Sequence, residues 1–142
     1  MRPHTLAETI ERIVAGEPQE KALPEFLDTF YSLPTPAAKW SSLAASPIES
    51  GDSRLDAFVG GMAEYLSRQY HLESAPAWAF EQNRFLDRAW HVSPFDTDAM
   101  REYLTFSSPA EFRSRNIFTE ERPLRRARSH LPNTARKIAQ AS

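Results

Sequence analysis

Six arginines fall between residues 113 and 128, in the stretch SPAEFRSRNIFTEERPLRRAR that starts at Ser108. They are Arg113, Arg115, Arg122, Arg125, Arg126 and Arg128, interleaved with Phe112, Ile117, Phe118 and Leu124. A guanidinium is a planar, permanently charged fork that grips carboxylate or phosphate through paired N–H donors. The stretch therefore points to an anionic partner, or to contact with an acidic body in the same chain. On a short helix entered at Pro109, Phe112 faces inward, while Arg113 and Arg115 stand about 200° apart and cannot both point the same way. On a further helix started at Thr119, Arg122, Arg125 and Arg126 share one broad side, opposite Leu124, Ala127 and Leu131. Two readings stay open: a solvated face paired with the rest of the chain, and a surface that recognises a protein or a nucleic acid.

Other chemistry has less behind it. His4, His71, His91 and His130 lack the close histidine spacing of a zinc site, and no His-Glu-x-x-His occurs. His71 and Glu73 read as a surface pair at a helix end. Neither a phosphate-cradling glycine loop nor a Gly-x-Ser-x-Gly elbow is present. Asp87, His91, Asp96 and Asp98 supply proton-transfer groups only if folding brings them together, and scattered acids ordinarily lie on the surface. Trp40, Trp78 and Trp90 could stack a base or line an apolar pocket. Their size makes them core material first, and Leu86 and Trp90, one helical turn apart, favour that reading. No catalytic residue, metal or cofactor is expected.

The net charge of −2 hides an asymmetry. Residues 1–112 hold nine Lys/Arg against seventeen Asp/Glu, a balance of −8, whereas 113–142 hold eight against two, a balance of +6. The chain has no cysteine, which excludes disulfides, thiolate metal sites and thiol nucleophiles. The N-terminal MRPHTLAETIERIVAG has no apolar core of the kind a signal peptide needs, and no run approaches the roughly 20 apolar residues of a membrane span. These features lead to the expectation of a cytoplasmic protein that does not enter a membrane.

The elements that must carry these residues are helical. Thr5 and Glu8 have capping-box spacing, Leu6, Ile10, Ile13 and Val14 share a face, and Gly16 is placed to end the helix. A second helix begins near Pro18 or Pro24 and carries Leu23, Phe26, Leu27, Phe30 and Tyr31 until LPTP stops it. PAAKWSSLAAS makes a short third helix presenting Trp40 and Leu43, and SPIESGD is the joint that follows. Asp52 or Ser53 caps the longest helix, with Leu55, Phe58, Val59, Met62 and Leu66 on its inner face. Gly60-Gly61 costs about 1 kcal/mol per glycine there; close approach of a neighbouring helix, or a kink, would account for the pair. One or two short helices are expected in AWAFEQNRFLDRAW, then one capped by Thr97 or Asp98. Ser108-Pro109-Ala110-Glu111 reads as a capping box with proline in the first turn, and Asn116 suits a left-handed ending. No stretch shows strand alternation. The expectation is an all-α, single compact domain of about seven short, irregularly packed helices over residues 1–131, with a polar tail at 132–142.

LPEFLDTFY (23–31), SRLDAFVGGMAEYL (53–66), PAWAFEQNRFLDRAW (76–90) and SPAEFRSRNIFTEERPLRRA (108–127) together resemble a group of short bacterial antitoxin-like proteins that accompany nucleotidyltransferase-type toxins. None of these stretches is a catalytic signature, and no functional residue carries over. The resemblance implies a small helical protein that binds and restrains a partner enzyme without chemistry of its own. A nucleic-acid-binding regulator using the basic C-terminal helices is the alternative.

Overall fold

Thr5 Oγ1 accepts the Glu8 N–H at 3.0 Å, and the Glu8 carboxylate reaches back to the His4 N–H at 2.8 Å. That reciprocal cap starts α1 (Leu6–Val14) in the computed structural model, which describes residues 4–124. Pro18 precedes α2 (Gln19–Ser32), and Pro24 lies inside it. Thr35 caps α3 (Pro36–Ala44), with proline in its first turn. Asp52 accepts the N–H groups of Arg54 and Leu55 to open α4 (Ser53–Gln69), the longest helix. It ends on His71, whose φ of 53° supplies the left-handed turn that glycine usually provides, with the Leu72 N–H closing back on the Ser67 carbonyl at 2.8 Å.

The segment expected to be helical over 76–90 is different. It makes two 3-10 turns, Ala77–Phe80 and Gln82–Arg84, then extends into β1 (Trp90–His91). Leu86 and Trp90 are therefore not one helical turn apart. Thr97 caps α5 (Asp98–Ser107), which leads to α6 (Ala110–Arg113) and β2 (Ile117–Phe118). The capping box expected at Ser108 does not form: its hydroxyl donates to the Ile117 carbonyl at 2.9 Å instead. Asn116 takes the left-handed conformation its type suggests, at φ 67°.

β1 and β2 pair in parallel, Trp90 with Ile117 and His91 with Phe118. The chain is thus mostly helical but not purely α, and six α-helices rather than seven lie within the described residues. Two-residue strands leave no alternation in a sequence to read. Residues 119–124 are not helical, and the remainder of the helix expected from Thr119, with the tail at 132–142, lies outside the described residues. α1, α2 and α3 pack together, while α4 packs against both 3-10 turns and α6. One apolar core joins the two groups through Leu6, Phe26, Phe30, Met62, Leu66 and Phe112. Among the described residues no helix is long and apolar enough to cross a membrane.

Candidate functional site

Gly60 and Gly61 leave a bare strip on α4. A Cβ on Gly61 would lie 2.6 Å from Phe112 Cδ1, and one on Gly60 would lie 2.8 Å from Arg84 Cβ and 3.2 Å from Arg115 Nε. The pair accommodates close approach of α6 and the second 3-10 turn, as the sequence anticipates. It also admits two arginines, each 1% exposed, to the interior.

Arg115 donates from Nη1 to Glu64 Oε1 at 2.6 Å and to the Glu111 carbonyl at 2.8 Å, and from Nη2 to the Ala79 carbonyl at 2.6 Å. Phe85 covers its guanidinium at 4.6 Å. Arg84 donates to the Asp56 and Pro47 carbonyls at 3.2 and 2.9 Å and lies 4.8 Å from the centre of the Trp78 ring. Burial pulls the Arg84 pKa down, against the charges of Asp56, Glu81 and Glu49. The Nε of each arginine finds no acceptor among the described residues. These two guanidiniums act as internal ties, linking α4, α6, the first 3-10 turn and the loop before α4.

The arginines expected at a recognition surface therefore divide. Arg113 is exposed, and its Nη1 donates to the Ser108 carbonyl at 2.8 Å. Arg115 leaves the set, because it is buried, with its guanidinium held by Glu64 and by the Ala79 and Glu111 carbonyls. Arg122 is exposed beside a cleft of about 720 Å³ that Tyr31, Tyr65, Tyr70 and Gln69 also line. Arg125, Arg126 and Arg128 lie outside the described residues.

The tryptophans separate as well. Trp78 is 5% exposed and donates from Nε1 to the Leu43 carbonyl at 2.9 Å, so it is core. Trp40 is exposed and donates to the Ser74 carbonyl. Trp90 is half-buried, carries the Arg54 guanidinium at 5.0 Å, and lines a groove of about 540 Å³ between α2 and α4. Leu23, Leu27, Phe58 and Met62 form much of its walls. This groove is invisible in the sequence, where its wall residues read as ordinary inward-facing stripes.

Proton-transfer groups stay apart in role. His91 Nε2 lies 3.3 Å from Thr105 Oγ1 and its ring stacks on Phe118, while Asp96 and Asp98 pair with Arg101. Asp87 is exposed in the loop before β1. No cluster of three or more metal-ligating residues occurs among the described residues. The exterior instead presents aromatic surface: Phe95 is 64% exposed, Tyr103 53% and Phe106 76%, the last two on one face of α5, where Leu104 alone is buried. Comparison with known proteins finds no matching family model, curated relative or solved structure.

Proposed function

We propose that this protein is a non-enzymatic interaction module of antitoxin type, which binds a partner enzyme and restrains it. The observation that carries this reading is the uncovered aromatic face of α5. A helix of ten residues is marginal in water unless an apolar face is packed, and α5 turns Tyr103 and Phe106 outward while burying only Leu104. Aromatic side chains are enriched at the centres of protein–protein interfaces, which suits such a face to a partner. The acidic balance of residues 1–112 supports a partner with a basic surface, where complementary charge speeds association and makes it salt-sensitive. The resemblance to companions of nucleotidyltransferase-type toxins suggests the partner's class.

The test is co-expression with the product of the adjacent gene, followed by purification and titration. A stable complex is expected, weakened at least about tenfold when Tyr103 and Phe106 are both replaced by serine. A folded protein that never associates with that product, at low or high salt, rejects the reading. The alternative, a nucleic-acid-binding regulator, keeps Arg113 and Arg122 among the described residues but loses Arg115 to the interior. Binding to nucleic acid that weakens steeply with salt would favour it instead.

A further inference from the structure

We propose that the groove between α2 and α4 receives an amphipathic helix of the partner, apolar on its inner side and flanked by lysine or arginine. This rests on the reading of the protein as a partner-binding module.

The groove exists because the two helices face one another across a gap while each packs elsewhere, α2 on α1 and α3, α4 on α6 and the 3-10 turns. Its walls are rows at helical spacing. Leu23 and Leu27 lie one turn apart on α2; Leu55, Phe58 and Met62 recur at three and four residues on α4. Trp90 and Val92 complete the lining. Two such ridges leave a furrow that accepts side chains spaced i, i+3/i+4 and i+7 on a third helix.

A small-molecule site needs a few buried polar groups that converge to fix orientation. Here Gln19, Glu20, Asp52 and Arg54 are all exposed and the walls are apolar, so an elongated apolar occupant fits better.

Charge selects among such occupants. Glu20 and Asp52 border the groove, and Arg54, which makes no ion pair among the described residues, is laid over Trp90. Among the described residues that line it, the border therefore carries a net charge of −1, two carboxylates against one guanidinium, within residues 1–112 of balance −8. Pro24 adds to this, because it has no N–H to give the Glu20 carbonyl one turn back. A lysine or arginine beside the inserted apolar face would meet that carbonyl and the two carboxylates. An acidic helix or an anionic lipid surface would be repelled.

Pro123 and Leu124 also line the groove, so the chain's own residues 125–142 begin beside it and are the competing occupant. The experiment uses the full chain and the adjacent gene's product, with affinity measured by calorimetry across a salt series. Leu23→Glu places a charge on the apolar wall and is expected to weaken binding by about a hundredfold or more. Glu20→Lys, at an exposed position outside the core, is expected to weaken it about tenfold and to flatten the salt dependence. Wild-type affinity in both variants overturns the groove while leaving the partner-binding reading intact. Failure of the wild-type chain to bind overturns both. Because the chain has no cysteine, Glu20→Cys gives a unique position for a spin label. Broadening in the free protein that extends to residues 132–142, beyond those held near the label by their link to Leu124, would assign the groove to the chain itself and overturn the proposal; broadening of partner signals in the complex supports it.

Discussion

Arg115 Nη1 lies 2.6 Å from Glu64 Oε1, in a contact that closes a guanidinium 1% exposed between α4 and α6. Removing one partner of such a pair leaves the other charge without its counterpart, at about 3–5 kcal/mol. Glu64 is slightly open to solvent, so Arg115→Met should fall toward the lower end of that range. Arg115→Lys should also destabilise, because a single ammonium cannot serve Glu64 and the Ala79 and Glu111 carbonyls as the fork does. Urea unfolding followed by tryptophan fluorescence measures both. A variant with an unchanged midpoint would mean that the tie contributes nothing.

Gly61 should resist substitution for a steric reason. Alanine gains about 1 kcal/mol in helix propensity, but its Cβ would stand 2.6 Å from the Phe112 ring, and overpacking of that kind costs about 1–3 kcal/mol. The net effect expected of Gly61→Ala is destabilisation. Phe112→Leu costs stability alone, but should recover part of the loss when combined with Gly61→Ala. A double-mutant cycle reads that coupling directly, and strict additivity would count against the contact as the cause.

Asn116 works through both its backbone and its side chain. Its φ of 67° is strained for alanine, and its Nδ2 donates to the Leu86 carbonyl at 2.7 Å, fixing the chain next to the β1–β2 pairing. Asn116→Ala should cost about 1–3 kcal/mol, whereas Asn116→Gly, which relieves the strain and loses only the side-chain bond, should cost less. Thermal unfolding of the two variants checks the order; equal losses would remove backbone strain from the account.

What the sequence disclosed was local. The cap at Thr5, those read as Asp52 or Ser53 and as Thr97 or Asp98, and the left-handed Asn116 are contacts within a few residues, so residue type and spacing locate them to within one position. Gly60-Gly61 announced a close approach without naming what approaches. The fate of Arg115 was not legible, because its acceptors Glu64 and Ala79 are 51 and 36 residues away and only the fold brings them together. The same holds for β1 and β2, paired across the chain by two residues each. Helical periodicity correctly marked Leu23, Leu27, Phe58 and Met62 as inward-facing. It could not register that α2 and α4 stand apart there, since a wall and a core present the same pattern in one dimension. Arg84 carried no signal at all: an arginine in a polar stretch reads as solvated.

Tyr65 offers a titration that reports on the cleft beside Arg122. Burial raises its phenol above the ordinary value of 10, with Glu111 acting in the same direction and the Gln69 hydrogen bond and Arg122 opposing. A folded-state pKa above the unfolded one means that the stability it contributes is complete below about pH 10 and is lost as pH rises from there through the folded value. Tyr65→Phe should therefore flatten the alkaline limb of the stability profile. Arg122→Gln removes an opposing charge and should raise the phenol further, seen as a later phenolate absorbance in spectrophotometric titration. If Arg122→Gln instead lowers that midpoint, the guanidinium does not act on Tyr65 across the cleft as the fold implies.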